Sequence, residues 1–473
     1  MIRRKRLVLE EMGPPLRFGF LFVQETQHAN TEVPRGILSR STHSSDRSLP
    51  APGFFGQFAI RQGQCWTPQR LLWVGLMMVW SEGQTMAARF EQAHDVAGEL
   101  HRHWKLPRTF SGWSQAIRNK AAAFLPQVAR RLAQQVRCVA PNDWTRHSWV
   151  PIAVDGTRIE APHTQTNEET LGCAGRAKSA PQVFLTMLYH MTIGLPLGYR
   201  LGPGTDCEQT HMLDMIDQLP RPTSEHRTLL VADCGFSSYE LCSRLLATGR
   251  DFLFRIGGNR TLIQGLTPCS GEGNRYCLWP EKWQDCEPII VRLLVLDAEK
   301  PHPVFLITNV LDEGVMTPAM AAEFYGLRWG EEVFYRTCKQ TLDRRTLLSR
   351  TPDQCLLEAE LLVHGVWLLG LMSVQELGRA GHPPSDWSPA KSRDAVRRAM
   401  RGTRCRASGG LLHAFSQATK DTSQRTHSKT ARNYPRKKRE QPPKPPKIRA
   451  ATATELRKLQ QLRSKQHNQP LTA

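Results

Sequence analysis

Three acidic residues stand where a folded sheet would bring them together. Asp155 lies in Ala-Val-Asp-Gly-Thr, at the middle or end of a strand-like stretch, and Asp233 closes the run Leu-Leu-Val-Ala-Asp before Cys-Gly-Phe. An aspartate that ends an apolar strand with glycine close behind it sets a carboxylate at the sheet's carboxyl edge, where open α/β sheets build their sites. Each alone is weak evidence, since a strand-ending aspartate is usually a turn or cap residue. The third acid lies in Tyr325-Gly-Leu-Arg-Trp-Gly-Glu-Glu-Val-Phe-Tyr-Arg-Thr-Cys-Lys339, which reads as helix. At roughly 100° per residue, Tyr325, Arg328, Glu332, Arg336 and Lys339 share an arc of about 80°, whereas Glu331 falls near −120°, off that face. Taken alone, such a stripe is a solvated face with an Arg328–Glu332 ion pair of about 0.2–0.5 kcal/mol.

The elements that must position these groups follow from patterning. Trp149–Ile159, Gln182–Met191 and Leu197–Leu201 read as three meandering strands, with Gly194-Leu195-Pro196 as the turn between the last two. Helix Glu208–Leu219, strand Thr228–Asp233, helix Ser238–Thr248 and strand Asp251–Ile256 follow. The expected fold class is α/β: an RNase H-like mixed sheet with flanking helices. Residues 257–300, with Gly257-Gly258 and the strand-like Ile289–Leu296, read as a β-rich insertion. Strand Val304–Asn309 leads into helices Ala319–Leu342 and Cys355–Leu377, whose apolar stripe (Leu361, Val366, Leu369, Met372) reads as core. His190 and His211 read as satisfied structural histidines. Upstream, Thr67-Pro68 is an N-cap followed by proline at the first helical position. The expected organisation is a poorly ordered leader over 1–65, an α-helical domain over 66–145, the mixed α/β domain over 146–380 and a basic, largely disordered tail over 381–473.

The chain has 473 residues and a formal net charge of +20. Lys391–Ala473 holds 22 Lys and Arg against 4 Asp and Glu, a net of +18, so the basicity is almost wholly C-terminal. The cluster Arg436-Lys437-Lys438-Arg439 is an electrostatic footprint for a polyanion. Residues 452–466 read as a short basic helix that forms on binding. No apolar run reaches the roughly 18–20 residues of a membrane helix. Glu10 and Glu11 spoil any signal-peptide stretch, so a cytoplasmic, nucleoid-associated protein is expected. None of the 12 cysteines forms a C-x-x-C pair, which argues for reduced thiols rather than a zinc site.

Asp-Gly-Thr, Asp-x-Gly-Phe and Tyr-x2-Arg-x3-Glu-x6-Lys, in this order, resemble the DDE transposases of bacterial insertion sequences. In particular they resemble the group-four family with that Tyr-Arg-Glu-Lys signature, over about Thr67 to about Leu377. Thr308-Asn309 is similar to that family's Thr-Asn block before the third acid. The resemblance implies that Asp155, Asp233 and Glu332 form a metal-binding catalytic triad on an RNase H-like core, and that the β-rich insertion is a family feature. Glu331 precedes the acid where that family more often has an apolar residue.

Phosphodiester cleavage and strand transfer develop charge on the attacking and leaving oxygens, which two divalent ions stabilise together. Three acids without histidine or cysteine suit Mg²⁺ or Mn²⁺. Arg328 and Lys339 would hold DNA phosphates, one as a fork and one as a point charge. Tyr325 would stand near the scissile phosphate, Arg336 beside it on the same face, and Trp329 would stack on a flipped end base or else serve as a core aromatic. The implied partner is double-stranded DNA, at element ends and target, held by a homodimer in a paired-end complex with no membrane. Two alternatives stand beside this reading: a catalytically silent DNA-binding relic, and another RNase H-like nuclease, which would leave Tyr325, Arg328 and Lys339 unexplained.

Overall fold

The computed structural model describes residues 65–101, 103–173, 180–270, 273–299, 303–401, 419–422 and 444–467. The leader up to residue 64 and the Arg436–Arg439 cluster lie outside them. The chain divides into two units: Met1–Val128 with Ser392–Ala418, and Ala129–Lys391 with Thr419–Ala473.

In the first unit, α1 (Pro68–Trp80) and α2 (Met86–Leu100) start at Thr67 and Thr85, whose hydroxyls accept from the N–H groups of Arg70 and Ala88. α3 (Phe110–Val139) begins in this unit and continues into the second. Its Trp113 and Phe124 are buried, and Lys120 Nζ donates to Trp66 O at 2.7 Å. Arg397 Nε donates to Trp80 O at 2.9 Å, a cation on the orphan carbonyls of a helix end.

The second unit is built on one ten-stranded sheet, order β10-β6-β7-β8-β9-β5-β4-β1-β2-β3. Its strands are β1 (Trp149–Glu160), β2 (Gln182–His190), β3 (Leu195–Pro203), β4 (Arg227–Ala232), β5 (Asp251–Arg255), β6 (Thr261–Gln264), β7 (Arg275–Leu278), β8 (Ile289–Leu296), β9 (Val304–Thr308) and β10 (Lys447–Ala450). β1, β4 and β5 run parallel, β2 and β3 antiparallel to β1 as a meander. β6 to β8 fall within 257–300, where a β-rich insertion is expected, and with β9 they continue the sheet antiparallel beyond β5. Thr308-Asn309 fastens that junction. Asn309 accepts from the Phe252 N–H at 2.8 Å and donates at 2.9 Å to buried Asp251, which also takes Trp149 Nε1 and Arg227.

Helices cover the sheet: α4 (Gln165–Thr170), α5 (Glu208–Met215), α6 (Tyr239–Ala247), α7 (Pro318–Leu327), α8 (Gly330–Arg336) and α9 (Pro352–Arg379). By length and composition α9 could cross a membrane, with mean hydropathy 1.6 over its most apolar stretch. Here 72% of that stretch is buried, Trp367 and Leu369 fully, and Glu360 and His364 on it hydrogen-bond the Tyr199 hydroxyl of β3. His190 pairs with Trp144 O and His211 with Thr186 and Asp206, so both histidines carry partners.

Within the described residues, parts of the tail form regular elements. Besides α10 (Pro389–Met400), it supplies β10, which adds in parallel to β6, and α11 (Ala453–His467). The reason is a capping box in Thr452-Ala-Thr-Glu455. Glu455 accepts from the Thr452 N–H at 2.9 Å, and Thr452 Oγ1 accepts from the Glu455 N–H at 3.2 Å. Glu455 also takes both fork nitrogens of Arg449, and those hydrogen bonds hold its carboxyl down at about 2. Arg463 pairs with Glu287 at 3.1 Å, tying the helix to the segment before β8.

Candidate active site

Backbone geometry brings the first two acids together. The parallel register of β1 and β4 ends with Val154 beside Ala232. One residue further, Asp155 still lies in β1, paired with Met187 of β2, while Asp233 has just left β4, so the two acids stand side by side at the carboxyl edge of β4. Each carboxylate is oriented by the residue that follows it: Asp155 Oδ1 accepts from the Gly156 N–H at 2.8 Å and Asp233 Oδ1 from the Cys234 N–H at 2.9 Å.

The helix carrying the signature residues is not the single helix that the spacing predicts. α7 ends at Leu327, Arg328-Trp329 form a joint, α8 follows, and Thr337–Thr341 makes a π-helical turn. The 100° wheel therefore does not apply across 325–339; π-turns concentrate where a functional side chain is re-aimed. Tyr325 Oη donates to Asp233 Oδ1 at 3.4 Å. Arg328, 4% exposed, lies 3.5 Å from Asp155 Oδ2 and 3.9 Å from Asp233 Oδ2. Its guanidinium is flanked by the rings of Tyr325 at 5.4 Å and Trp329 at 5.6 Å. Lys339, re-aimed by the π-turn, donates to Thr157 Oγ1 at 2.6 Å, and burial lowers its pKa. Trp329 is 57% exposed, so its core-aromatic reading falls away, and Arg336 is exposed as well.

Glu332 points outward from α8, near enough to Arg328, Asp155 and Asp233 to feel their charges. Glu331 is fully buried. Its Oε1 accepts from the Asp155 N–H at 3.1 Å and meets Tyr335 Oη at 2.9 Å, while Oε2 has no partner. Burial first, and the Asp155 charge second, push its carboxyl well above the usual range. Tyr335 has one proton for two acceptors, Asp155 O and Glu331, so a proton on Glu331 satisfies the group.

A raised folded pKa means that the native state binds the extra proton. The stabilisation from protonated Glu331 is complete below about pH 4.5, its unfolded value, and is lost as pH rises toward the folded pKa. Glu331→Gln keeps shape and neutrality. The expected result is a melting temperature that declines less between pH 5 and pH 8 than that of wild type, and parallel profiles would show that Glu331 is ionised in the native state.

Two further groups of this edge escape sequence patterning. Arg255, at the end of β5, lies 3.5 Å from Asp233 Oδ1. Glu208 opens α5 and senses both aspartates, which, after burial, help to raise its carboxyl pKa. Neither has a spacing relation to the signature; only the order of strands places them here.

This arrangement offers carboxylates to a cation and a guanidinium and an ammonium to phosphate. Residues 150–366 match the family model of the transposase DDE domain. The chain carries a transposase DDE domain. As an enzyme the transposase is of the DDE type, a polynucleotidyl transferase. No curated protein matches it in sequence. Among solved structures it is similar to a piggyBac transposase synaptic complex with hairpin DNA, at 11% identity and TM-score 0.35, over 79% of this chain and 81% of that one. It is also similar to a Mos1 transposase paired-end complex with left transposon end, at 8% identity and TM-score 0.16, over 41% of this chain and 60% of that one. The assignment rests on the domain match alone.

DDE transposases generally use divalent metal ions. The donor set here fits such an ion in kind: oxygen ligands only, with Asp155 and Glu208 each raised in pKa first by burial and then in part by neighbouring carboxylates, whose charge Arg328 and Arg255 meet in part. In this arrangement no three acids among the described residues converge closely enough to enclose an ion.

Proposed function

We propose that the transposase cuts and rejoins double-stranded DNA at the terminal inverted repeats of an insertion sequence, by cut-and-paste transposition. In this reading its core is RNase H-like, and it is of the group-four kind with the Tyr-Arg-Glu-Lys signature. One observation carries the reading. Tyr325, Arg328 and Lys339 reach Asp233, Asp155 and Thr157 across 92, 173 and 182 residues of sequence. A merely solvated helix face would have no such contacts. The meander β3-β2-β1 continued by parallel β4 and β5 supports the RNase H-like assignment.

Asp155, Asp233 and Glu332 would hold Mg²⁺ or Mn²⁺, two ions when fully loaded. Bound there, the metal stabilises charge on the oxygens entering and leaving phosphorus. Arg328, clamped between two aromatic rings, offers a fixed cation to a phosphate without the entropy loss of a free side chain. Lys339 offers a point charge beside Thr157, and Tyr325 a hydroxyl next to Asp233. Trp329, exposed and backed by Arg328, is a stacking platform for an unpaired base. Arg336 supplies a solvent-facing charge to the backbone. The helices over 66–145 would bind element ends and the basic tail DNA at large, with two protomers in a paired-end complex. In this reading the protein would act at the nucleoid, in the cytoplasm and away from membranes.

The test is cleavage of a linear duplex carrying the flanking inverted repeats, with Mg²⁺, Mn²⁺ or EDTA, by wild type and Glu332→Gln. Metal-dependent nicking at the repeat boundary, absent from the variant, is expected. Binding of the ends without cutting under either metal would favour the catalytically silent relic.

A further inference from the structure

We propose that Glu208 is a fourth carboxylate ligand of the divalent-metal site, entering it from α5 through the gaps left by Gly156 and Gly235. The inference rests on the metal-dependent reading above.

Its ground is the space around the Glu208 carboxylate. A Cβ added at Gly156 would lie 3.0 Å from Glu208 Oε1, and one added at Gly235 would lie 3.0 Å from Oε2. Gly156 follows Asp155 within β1 and Gly235 lies in the turn that follows Asp233, so one carboxylate spans both. Any larger residue at either position would crowd it. At Gly156 the added carbon would also meet the Phe184 ring at 2.6 and 2.7 Å.

The helix that delivers Glu208 is fixed on two sides. Gln209 Nε2 donates to Gly235 O at 2.5 Å, joining the first turn of α5 to the Asp233 loop. His211, one turn on and buried, pairs with Thr186 of β2 through Nδ1 and with Asp206 through Nε2, each at 2.9 Å. An acid in the first helical turn has an ordinary use in meeting the helix dipole. That use asks nothing of Gly156 or Gly235, and it does not turn the carboxylate toward two other acids. The opposing charges that reach Glu208 are the Arg158 guanidinium, which sits over the Phe184 ring at 4.3 Å, and the positive end of its own helix. Against them stand Asp155 and Asp233. Arg328 faces both of those acids and has its Nε buried without a partner, and Arg255 reaches only Asp233, at 3.5 Å. A divalent ion with Asp155, Asp233 and Glu208 around it would relieve this imbalance, leaving Glu332 to complete a second position.

The experiment is Mn²⁺ binding to full-length protein without DNA, followed by the loss of the free-ion electron paramagnetic resonance signal. Wild type is compared with Glu208→Gln, Glu208→Asp and Asp155→Asn, each checked for a wild-type circular dichroism spectrum. Expected are affinity about tenfold or more weaker in Glu208→Gln, in line with losses on removing metal-site supports, and partial recovery in Glu208→Asp, whose charge is kept on a shorter arm. Wild-type affinity in Glu208→Gln together with lost affinity in Asp155→Asn would overturn the proposal and leave the metal site standing. Wild-type affinity in both would overturn the metal-dependent reading with it.

Discussion

Asp155→Asn is expected to lower strand cleavage by about a thousandfold or more while leaving DNA-end binding in EDTA within a few-fold of wild type. The substitution keeps the side chain's size and its Gly156 hydrogen bond, so it removes charge and little else. At about 1.36 kcal/mol per tenfold, that loss is about 4 kcal/mol, within the several kcal/mol that charge stabilisation at phosphorus supplies. The fold should tolerate the change. Burial, ahead of the Asp233 charge, holds the Asp155 carboxyl above its ordinary range, so the ionised form is the less comfortable one in the native state. The sign follows: stability tied to the protonated form is lost as pH rises through the folded pKa, and the neutral amide escapes that loss. A melting temperature at pH 7.5 equal to or above that of wild type, with cleavage gone, is the expected pair of results. Undiminished cleavage would take Asp155 out of the mechanism.

What the sequence showed and what it hid divide along a physical line. Strand positions were legible because apolar runs bounded by glycine and proline leave few alternatives, and β1, β2, β4 and β8 fall within a residue or two of their expected bounds. The joining of β6 to β9 onto the β5 edge was not, since pairing partners are set by tertiary closure and not by local pattern. The signature helix failed in a more instructive way. Its residue types announced a site, yet the joint at Arg328-Trp329 and the π-turn at Thr337–Thr341 overrode the ideal wheel. The contacts of Tyr325, Arg328 and Lys339 come from those irregularities. Glu331 shows the same limit: the wheel set it aside from the charged face, and the structure hands it a buried bond to the backbone of Asp155. The tail helix was legible in its capping box, Thr452 to Glu455, and the composition of the surrounding +18 segment obscured it.

Arg328→Met carries the second large effect, on stability and chemistry together. Methionine preserves much of the apolar bulk between Tyr325 and Trp329 and deletes the charge that Asp155 and Asp233 share. Removing one partner of a fully buried pair costs about 3–5 kcal/mol. Here the two carboxylates keep 26% and 36% of their side-chain surface in water, and solvent screening reduces the expected cost to about 1–3 kcal/mol. The loss should be greater at pH 8 than at pH 5, because without the guanidinium the two acids repel as both ionise. It should also shrink when Mn²⁺ is added, since an ion held by the same carboxylates restores the missing positive charge. Arg328→Lys separates the two roles of the residue. A lysine returns charge but not the fork, so stability is expected to recover while cleavage of the repeat ends stays low. Melting curves with and without Mn²⁺ at the two pH values, run beside the cleavage assay, decide it. If Arg328→Met melts like wild type at pH 8, the guanidinium is not what holds the two aspartates together.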